Sequence, residues 1–399
     1  MKRLFSHLLF KVFLAIVFGI VFGLYLPEPV NRVLATFNAF FSQFLNFSIP
    51  LIIMGLIMPA ISDLGKGAGK MLILTAAIAY GSTLFSGFMT YFTTLDVFPS
   101  LLGSYVNKTT QIAETARELS PYFIITIPVV LDVMTALVLA FVIGLGLAYQ
   151  EESALKLMVK DFQIIIMQLI EKIIVPLLPL FILGIFANMA YSGKVYSILS
   201  VFINIIGVIF VLHILLLVLQ YIITGILTKK NPLRLLVTMM PAYFTALGTQ
   251  SSAATIPVTL AQTLKNGVSE KIAGFVIPLC ATIHLSGSIM KITACTIALM
   301  ILEGMPFDFL LIAGFIFMLG IAMVAAPGVP GGAIMAAIGV MQSMLGFNEE
   351  MIGLMIALYI AMDSFGTACN VTGDGAIALV VNKLTNSWGK PIKPNREVK

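Results

Sequence analysis

Residues Met362–Ala376 read MDSFGTACNVTGDGA. This stretch decides the fold, because it sets two aspartates inside an apolar run extending from Met351 to Val381. A run of that length is what a helix needs to cross hydrocarbon, about 20 residues. Asp363, Thr367, Asn370 and Asp374 follow one another at offsets of four, three and four, so on a helix they share one face. An ionised carboxylate at the bilayer centre costs about 2.5–3.5 kcal/mol on insertion scales. Two on one face require cations, ligand groups or backbone donors against them, which predicts a membrane helix lining a polar passage.

The rest of the chain agrees with that reading. Its 399 residues are 59% hydrophobic and 10% charged, with a mean hydropathy of +1.05, whereas ordinary soluble domains carry roughly a quarter charged residues. The net charge of +5 gathers in short loops, at Lys66 and Lys70, at Lys229, Lys230 and Arg234, and in the tail from Lys390 to Lys399. Basic short loops mark the cytoplasmic side, and without a stripe of Lys and Arg no nucleic-acid partner is expected. Cys280, Cys295 and Cys369 lie in apolar segments without a CxxC pair or a nearby histidine cluster. No disulfide or zinc framework is expected from them.

Apolar stretches run over Leu8–Leu26, Phe44–Ile61, Met71–Thr94, Phe123–Tyr149, Phe162–Ala190 and Tyr196–Leu227. Counted from a cytoplasmic N-terminus, they put Lys66, Lys70, Lys156, Lys160 and the Lys229–Arg234 cluster inside. Arg32, Lys108, Arg117 and Lys194 fall outside, in keeping with the positive-inside bias. The first stretch lacks a small-residue cleavage site and reads as a span, not a signal peptide. Beyond Arg234 the texture changes. Met239–Thr263 is interrupted by GTQSSAATIP (Gly248–Pro257), and Phe309–Phe347 by AAPGVPGG (Ala325–Gly332). Non-helical backbone at membrane depth survives only against protein or a water-filled cavity. A span with polar residues follows each, Ile272–Leu302 and then Met351–Val381. Two hairpin-plus-span units are the sequence sign of an internal repeat around a central binding site. The expected fold is an all-α multi-pass protein of the cell (inner or plasma) membrane. It has eight transmembrane helices plus two re-entrant helical hairpins in inverted repeats, with both termini cytoplasmic.

The seventh span, CATIHLSGSIMKITAC (Cys280–Cys295), brings Thr282, His284, Ser286, Ser288 and Lys291 to membrane depth. An intramembrane lysine pairs with a carboxylate or deprotonates, whereas His284 alone reads equally as a core histidine. At the hairpin tips, Ser251 and Ser252 beside Ala253 and Ala254, and Gly328, Gly331 and Gly332 around Pro330, can expose backbone groups. Helix N-termini favour carboxylates, and exposed carbonyls favour sodium; a packing seam of small residues is the plainer alternative. An intramembrane aspartyl protease needs two carboxylates on facing helices, yet Asp363 and Asp374 lie about 16 Å apart along one helix. GKGAGK (Gly65–Lys70) lacks phosphate-loop spacing. No enzyme is expected; an anion channel is the distant rival, which saturable, sodium-dependent uptake with counterflow would separate from a carrier.

GTQSSAATIPVT (Gly248–Thr259), PLCATIHLSGS (Pro278–Ser288), GVPGGAIM (Gly328–Met335) and DSFGTACNVTGD (Asp363–Asp374) together resemble the dicarboxylate/amino acid:cation symporter family, which includes glutamate and neutral amino acid transporters. The resemblance covers essentially the whole chain. It implies a homotrimer in membrane lipid that works as an elevator. The scaffold would be residues 1–70 (spans 1–2) and 96–231 (spans 4–6). The transport domain would be residues 71–95 (span 3) and 232–385 (both hairpins, spans 7 and 8), with 386–399 a basic cytoplasmic tail. It implies that Asp363 binds a substrate α-amino group, with Gly366, Thr367 and Asn370 in the same pocket. Ser251, Ser252, Val329 and Gly331 would contribute from the hairpin tips. Cation ligands would be Asn370 and Asp374 with the His284 carbonyl, then Thr282 with the carbonyls of Met323, Val324 and Ala326, and Tyr80 and Thr83 at a third site.

Departures from the family pattern narrow the expectation. Acidic-substrate members carry an arginine where this chain has Gly366, and some prokaryotic members carry one where it has Gln250. A second substrate carboxylate would then lack a bidentate partner. The expected substrate is a small neutral amino acid coupled to Na+; an acidic amino acid or a C4-dicarboxylate is the alternative. The usual NMDG reads HLSG here (His284–Gly287), so Ser286 replaces an aspartate that ligates a third sodium, and Lys291 replaces a tyrosine. The expectation is that this third sodium is absent, with the Lys291 ammonium or a protonated His284 offsetting Asp374 and H+ as a further coupling ion. No organic cofactor is expected. Asp363→Ala and Asp374→Asn are each expected to abolish solute accumulation; parental uptake by either variant would contradict the reading.

Overall fold

The computed structural model describes residues 8–63, 70–113, 119–150, 153–193, 195–324, 326 and 330–385. Among these every regular element is a helix: α1 (Leu8–Tyr25), α2 (Glu28–Asp63), α3 (Lys70–Ala113), α4 (Val133–Ala148), α5 (Ala154–Leu169), α6 (Val175–Tyr191) and α7 (Val195–Thr228). There follow α8 (Pro232–Thr249), α9 (Ser252–Lys265), α10 (Glu270–Ile283), α11 (Ser286–Leu302), α12 (Phe309–Val324), α13 (Gly332–Leu345), α14 (Glu349–Ala361) and α15 (Asp363–Thr385). A π-helical turn, Ile170–Ile174, joins α5 to α6. It lies just before Pro176, whose ring has no N–H and crowds the preceding turn of an ordinary α-helix.

Among the described residues six helices are long and apolar enough to cross a membrane, or up to seven if α14 and α15 form one bent span. The sequence count of eight spans included Phe123–Tyr149, which is helical only over α4; residues 119–132 are not helical. Pro121 and Pro128 punctuate this segment, and β-branched residues crowd the turns between them. Its backbone is tied sideways instead. Tyr122 N–H donates to Thr36 Oγ1 (2.9 Å), Tyr122 Oη to the Pro29 carbonyl (3.1 Å), and Leu119 N–H to Asn188 Oδ1 (3.2 Å). The last span, read from sequence as continuous, bends by 61° between α14 and α15.

Packing sorts the helices into two groups. In the first, α1 lies along α6, and α2 lies along α4, α5 and α6. Gly19 permits the α1–α6 approach, since a Cβ there would stand 2.5 Å from the Leu183 carbonyl oxygen. In the second, α3 runs along α11, and α15 is surrounded by α7, α8, α9, α10 and α11. The sequence grouped the sixth span with the scaffold, but α7 packs mainly on α15, α8 and α11 and touches α6 only lightly. Helices α13 and α14 carry most of the contact between the groups.

Within the second group the architecture repeats. Helices α8 and α9 pack as a hairpin turning at Gln250 and Ser251, and are followed by the broken pair α10–α11. Helices α12 and α13 pack as a second hairpin, and are followed by the bent pair α14–α15. Gln250 turns the first tip with φ 54°, a left-handed conformation that non-glycine residues seldom take. Its side-chain amide donates to Ser364 Oγ (2.8 Å), which ties this tip to the start of α15. Ser251 Oγ accepts the Ala254 N–H (3.3 Å) and caps α9. Gly331, with φ 77°, turns the second tip.

Candidate functional site

Three helix breaks converge on the start of α15, the two hairpin tips and Met362 between α14 and α15, and a fourth, the α10–α11 junction at His284–Leu285, meets α15 further along. Each break frees backbone groups that buried surroundings must satisfy, and side chains of α11 and α15 do so. Asp363 opens α15, where the N-terminal end of the helix dipole favours a carboxylate. Its Oδ2 accepts the Gly331 N–H at 2.9 Å, linking the second hairpin tip to the last span. Its Oδ1 lies 3.1 Å from Lys291 Nζ, with the side chains 5% and 0% exposed. Lys291 also donates to the Met362 carbonyl (3.4 Å) and sits 3.6 Å from the centroid of the Tyr359 ring.

Further along α15, Asn370 Oδ1 accepts the Gly287 N–H (2.7 Å), one of the free donors at the start of α11. Its amide donates to Ser288 Oγ (3.2 Å), which in turn meets Tyr359 Oη (3.2 Å). One turn on, Asp374 Oδ1 lies 2.8 Å from His284 Nδ1, both side chains almost wholly buried. His284 Nε2 is 3.1 Å from Ser82 Oγ, which accepts from the Gln220 amide (3.0 Å). Gln220 also reaches Ser286 Oγ (3.4 Å). The residues that the sequence set on one face of α15 therefore meet α11 and the α10–α11 break in succession, through Lys291, Gly287 and His284.

One pairing differs from expectation. Lys291 was expected to offset Asp374; in the structure it lies on Asp363, and His284 takes Asp374. His284 and Lys291 are seven residues apart and the two aspartates eleven, so the pairing is set by the α10–α11 break and the length of the lysine stem and not by equal helical spacing. Thr367 and Ser252 are buried, and Gly366 passes directly under Lys291.

The other expected ligands are less concentrated. Thr282 is exposed and its hydroxyl donates to the Leu279 carbonyl (2.8 Å). The Met323 carbonyl accepts the Ala326 N–H (3.1 Å), and Val324 ends α12. Tyr80 Oη donates to the Phe317 carbonyl (3.2 Å) and Thr83 to the Ala79 carbonyl (2.9 Å), so the neighbouring Ser82 is the α3 side chain that reaches His284. Val329 lies outside the described residues.

Sequence reading passed over the contributions of α7. His213 Nε2 donates to the Gly287 carbonyl (3.1 Å), and Tyr221 Oη donates to the Thr372 carbonyl (2.8 Å). Gln220 completes the set. The signal was available: His213 and Gln220 are polar residues seven apart in an otherwise apolar span, hence on one face, and such residues point inward. Ser86, which donates to the Ser286 carbonyl (2.7 Å), carried no comparable signal.

A model of the sodium:dicarboxylate symporter family matches residues 8–384. The chain belongs to that family. It is a multi-pass membrane transporter and not an enzyme. Serine/threonine transporter SstT of Acinetobacter baumannii is 27% identical over 382 residues, covering 91% of this chain and 93% of the relative. Excitatory amino acid transporter 5 of Mus musculus is 32% identical over 154 residues, and excitatory amino acid transporter 2 of Homo sapiens 30% over 163. Those two matches span only 27% and 28% of the mammalian proteins. For this symporter the geometry makes Asn370 a structural stitch as well as a candidate ligand. Asn370→Ala is expected to lower the melting temperature of the ligand-free protein, because an orphaned buried N–H costs about 1–3 kcal/mol. An unchanged melting temperature would show that Gly287 finds another acceptor.

Proposed function

We propose that the chain is a secondary active symporter that takes up a small neutral amino acid together with sodium. The observation that carries this reading is the balance of charge around Asp363. One carboxylate faces one ammonium, with Gly366 and Gln250 where further cations would stand. A zwitterion, with one charge of each sign and no net charge, fits that balance. A second substrate carboxylate would need a cation in excess, and Lys291 is already engaged by Asp363. The full-length similarity to a serine/threonine transporter supports the same class. One observation favours an acidic substrate instead: Lys291 brings a cation beside Gly366, where sequence alone expected none.

Hard cations such as sodium select oxygen ligands, and the lower half of the site is oxygen-rich. Asp374, Asn370 and the His284 carbonyl are the residues proposed to hold it. Gln220 Oε1 is buried there without a hydrogen-bond partner among the described residues, as an acceptor awaiting a cation would be. When bound, sodium would supply positive charge against Asp374 and the exposed carbonyls. Thr282 with Met323, Val324 and Ala326 remains the proposed second site. At the third, Ser286 offers a hydroxyl to Gln220 where a carboxylate would be needed, and His284 lies on Asp374. Fewer than three sodium ions per cycle is the proposed stoichiometry, with His284, paired with Asp374, as the candidate proton carrier.

In the proposed elevator, α3 and α8–α15 would move against α1, α2 and α4–α6, and the packing of α7 on α15, α8 and α11 supports moving it with the former. Hairpins α8–α9 and α12–α13 would re-enter without crossing, and both termini would be cytoplasmic. A homotrimer is proposed from the family resemblance, with Val138, Val142 and Leu145 on α4 as an exposed apolar face for lipid or a neighbouring copy. The test is thermal stabilisation of the purified protein by serine, threonine or alanine, with and without sodium. Stabilisation that requires both is expected, about 2.7 kcal/mol at a hundredfold excess over Kd. Stabilisation by acidic amino acids or dicarboxylates alone would overturn the substrate reading.

A further inference from the structure

Lys291 enters the site from α11 with its whole stem buried, and its ammonium is held from several sides. Asp363 Oδ1 lies at 3.1 Å, the Met362 carbonyl at 3.4 Å, and the face of Tyr359 at 3.6 Å. Beneath it runs Gly366. A Cβ at that position would stand 2.5 Å from Lys291 Cε and 2.6 Å from Nζ, so a residue without a side chain is what admits the lysine to the start of α15. The other carboxylate oxygen accepts Gly331 N–H from the second hairpin tip. A buried carboxylate where a hairpin tip, a helix N-terminus and a kink meet is a natural seat for a ligand ammonium. Here that seat is filled by an ammonium of the chain itself.

We propose that Lys291 is a tethered stand-in for the ligand's ammonium. It neutralises Asp363 in the empty carrier, and when a zwitterion enters, the ligand's ammonium takes Asp363 while Lys291 turns to the ligand's carboxylate. The inference rests on the neutral amino acid reading and deepens it. The exchange breaks one ion pair and makes two, so no charge is left unpaired at membrane depth and no net charge is added to the site. Lysine suits this part because its ammonium is a point charge on a flexible four-carbon stem, with donors that rotate. A ligand with an ammonium alone would displace Lys291 and leave it unpaired. A ligand with a carboxylate alone would draw Lys291 away and leave Asp363 unpaired. Both charges on one ligand are therefore required, and Lys291 is a specificity-determining residue that makes the site select a zwitterion over either half of it.

The experiment compares binding of L-serine, ethanolamine and glycolate (zwitterion, amine alone and carboxylate alone) to the full-length purified protein at saturating sodium. Wild type is expected to prefer L-serine to either fragment by at least a hundredfold. Lys291→Met, which keeps the length of the stem and removes its charge, is expected to gain at least tenfold in ethanolamine affinity and to lose at least tenfold for L-serine. Unchanged affinities for both in that variant overturn the proposal. Should Lys291→Met fail to fold, Gly366→Ala serves instead: its Cβ expels the ammonium from Asp363, and the same rise in ethanolamine affinity is expected, its absence being contradictory. If wild type binds no neutral amino acid, the substrate reading falls. The ethanolamine comparison depends only on the freeing of Asp363 and still decides the role of Lys291.

Discussion

A carboxylate buried beside a broken helix must find both a cation and a hydrogen-bond donor, and Asp363 finds them in Lys291 and Gly331. The rest of the second helix group is arranged so that this is possible. Helix α14 stops and turns by 61° so that Asp363 can begin a new helix. The second hairpin tip turns at Gly331, whose left-handed backbone aims an N–H at the carboxylate. Helix α11 starts afresh at Ser286, which places Lys291 within reach and leaves Gly287 N–H free for Asn370. No single element could be straightened without orphaning a polar group in another, and the cost of orphaned groups in an apolar interior holds the breaks together.

The same constraint organises the lower half of the site around Asp374. There the partner is an imidazole, and the network continues through Ser82 into Gln220 of α7. The two aspartates are thus partnered in different ways: one by an amine on a flexible stem, one by an imidazole. Both partners belong to the protein. A carrier that provides its own counter-charges has less need of cations from solution, and this links the HLSG motif, the lysine at position 291 and the glycine at position 366 into one physical account.

Much of this was legible in the sequence, because the cost of polarity in hydrocarbon makes the exceptions conspicuous. The two interrupted apolar segments, the shared face of Asp363, Asn370 and Asp374, and the depth of His284 and Lys291 all followed from spacing alone. Which partner each aspartate takes did not. Lys291 and His284 lie on opposite sides of a break whose bend no periodicity encodes, so their assignment to the carboxylates needed three dimensions. The role of α7 was legible only in part: His213 and Gln220 lie seven apart and share an inward face, but which helix that face meets needed three dimensions. Phe123–Tyr149 was misjudged because hydropathy registers apolar character without regard to backbone. Pro121, Pro128 and the β-branched residues between them favour extended chain, which here is satisfied by Thr36 and Asn188.

If His284 stands in for a mobile cation against Asp374, the number of sodium ions moved per substrate must reflect it. Reversal potentials of substrate uptake in proteoliposomes, with sodium and substrate gradients set independently, measure that number directly. The account predicts fewer than three sodium ions for each substrate molecule. A value of three or more would mean that this internal pair replaces nothing, and would contradict it.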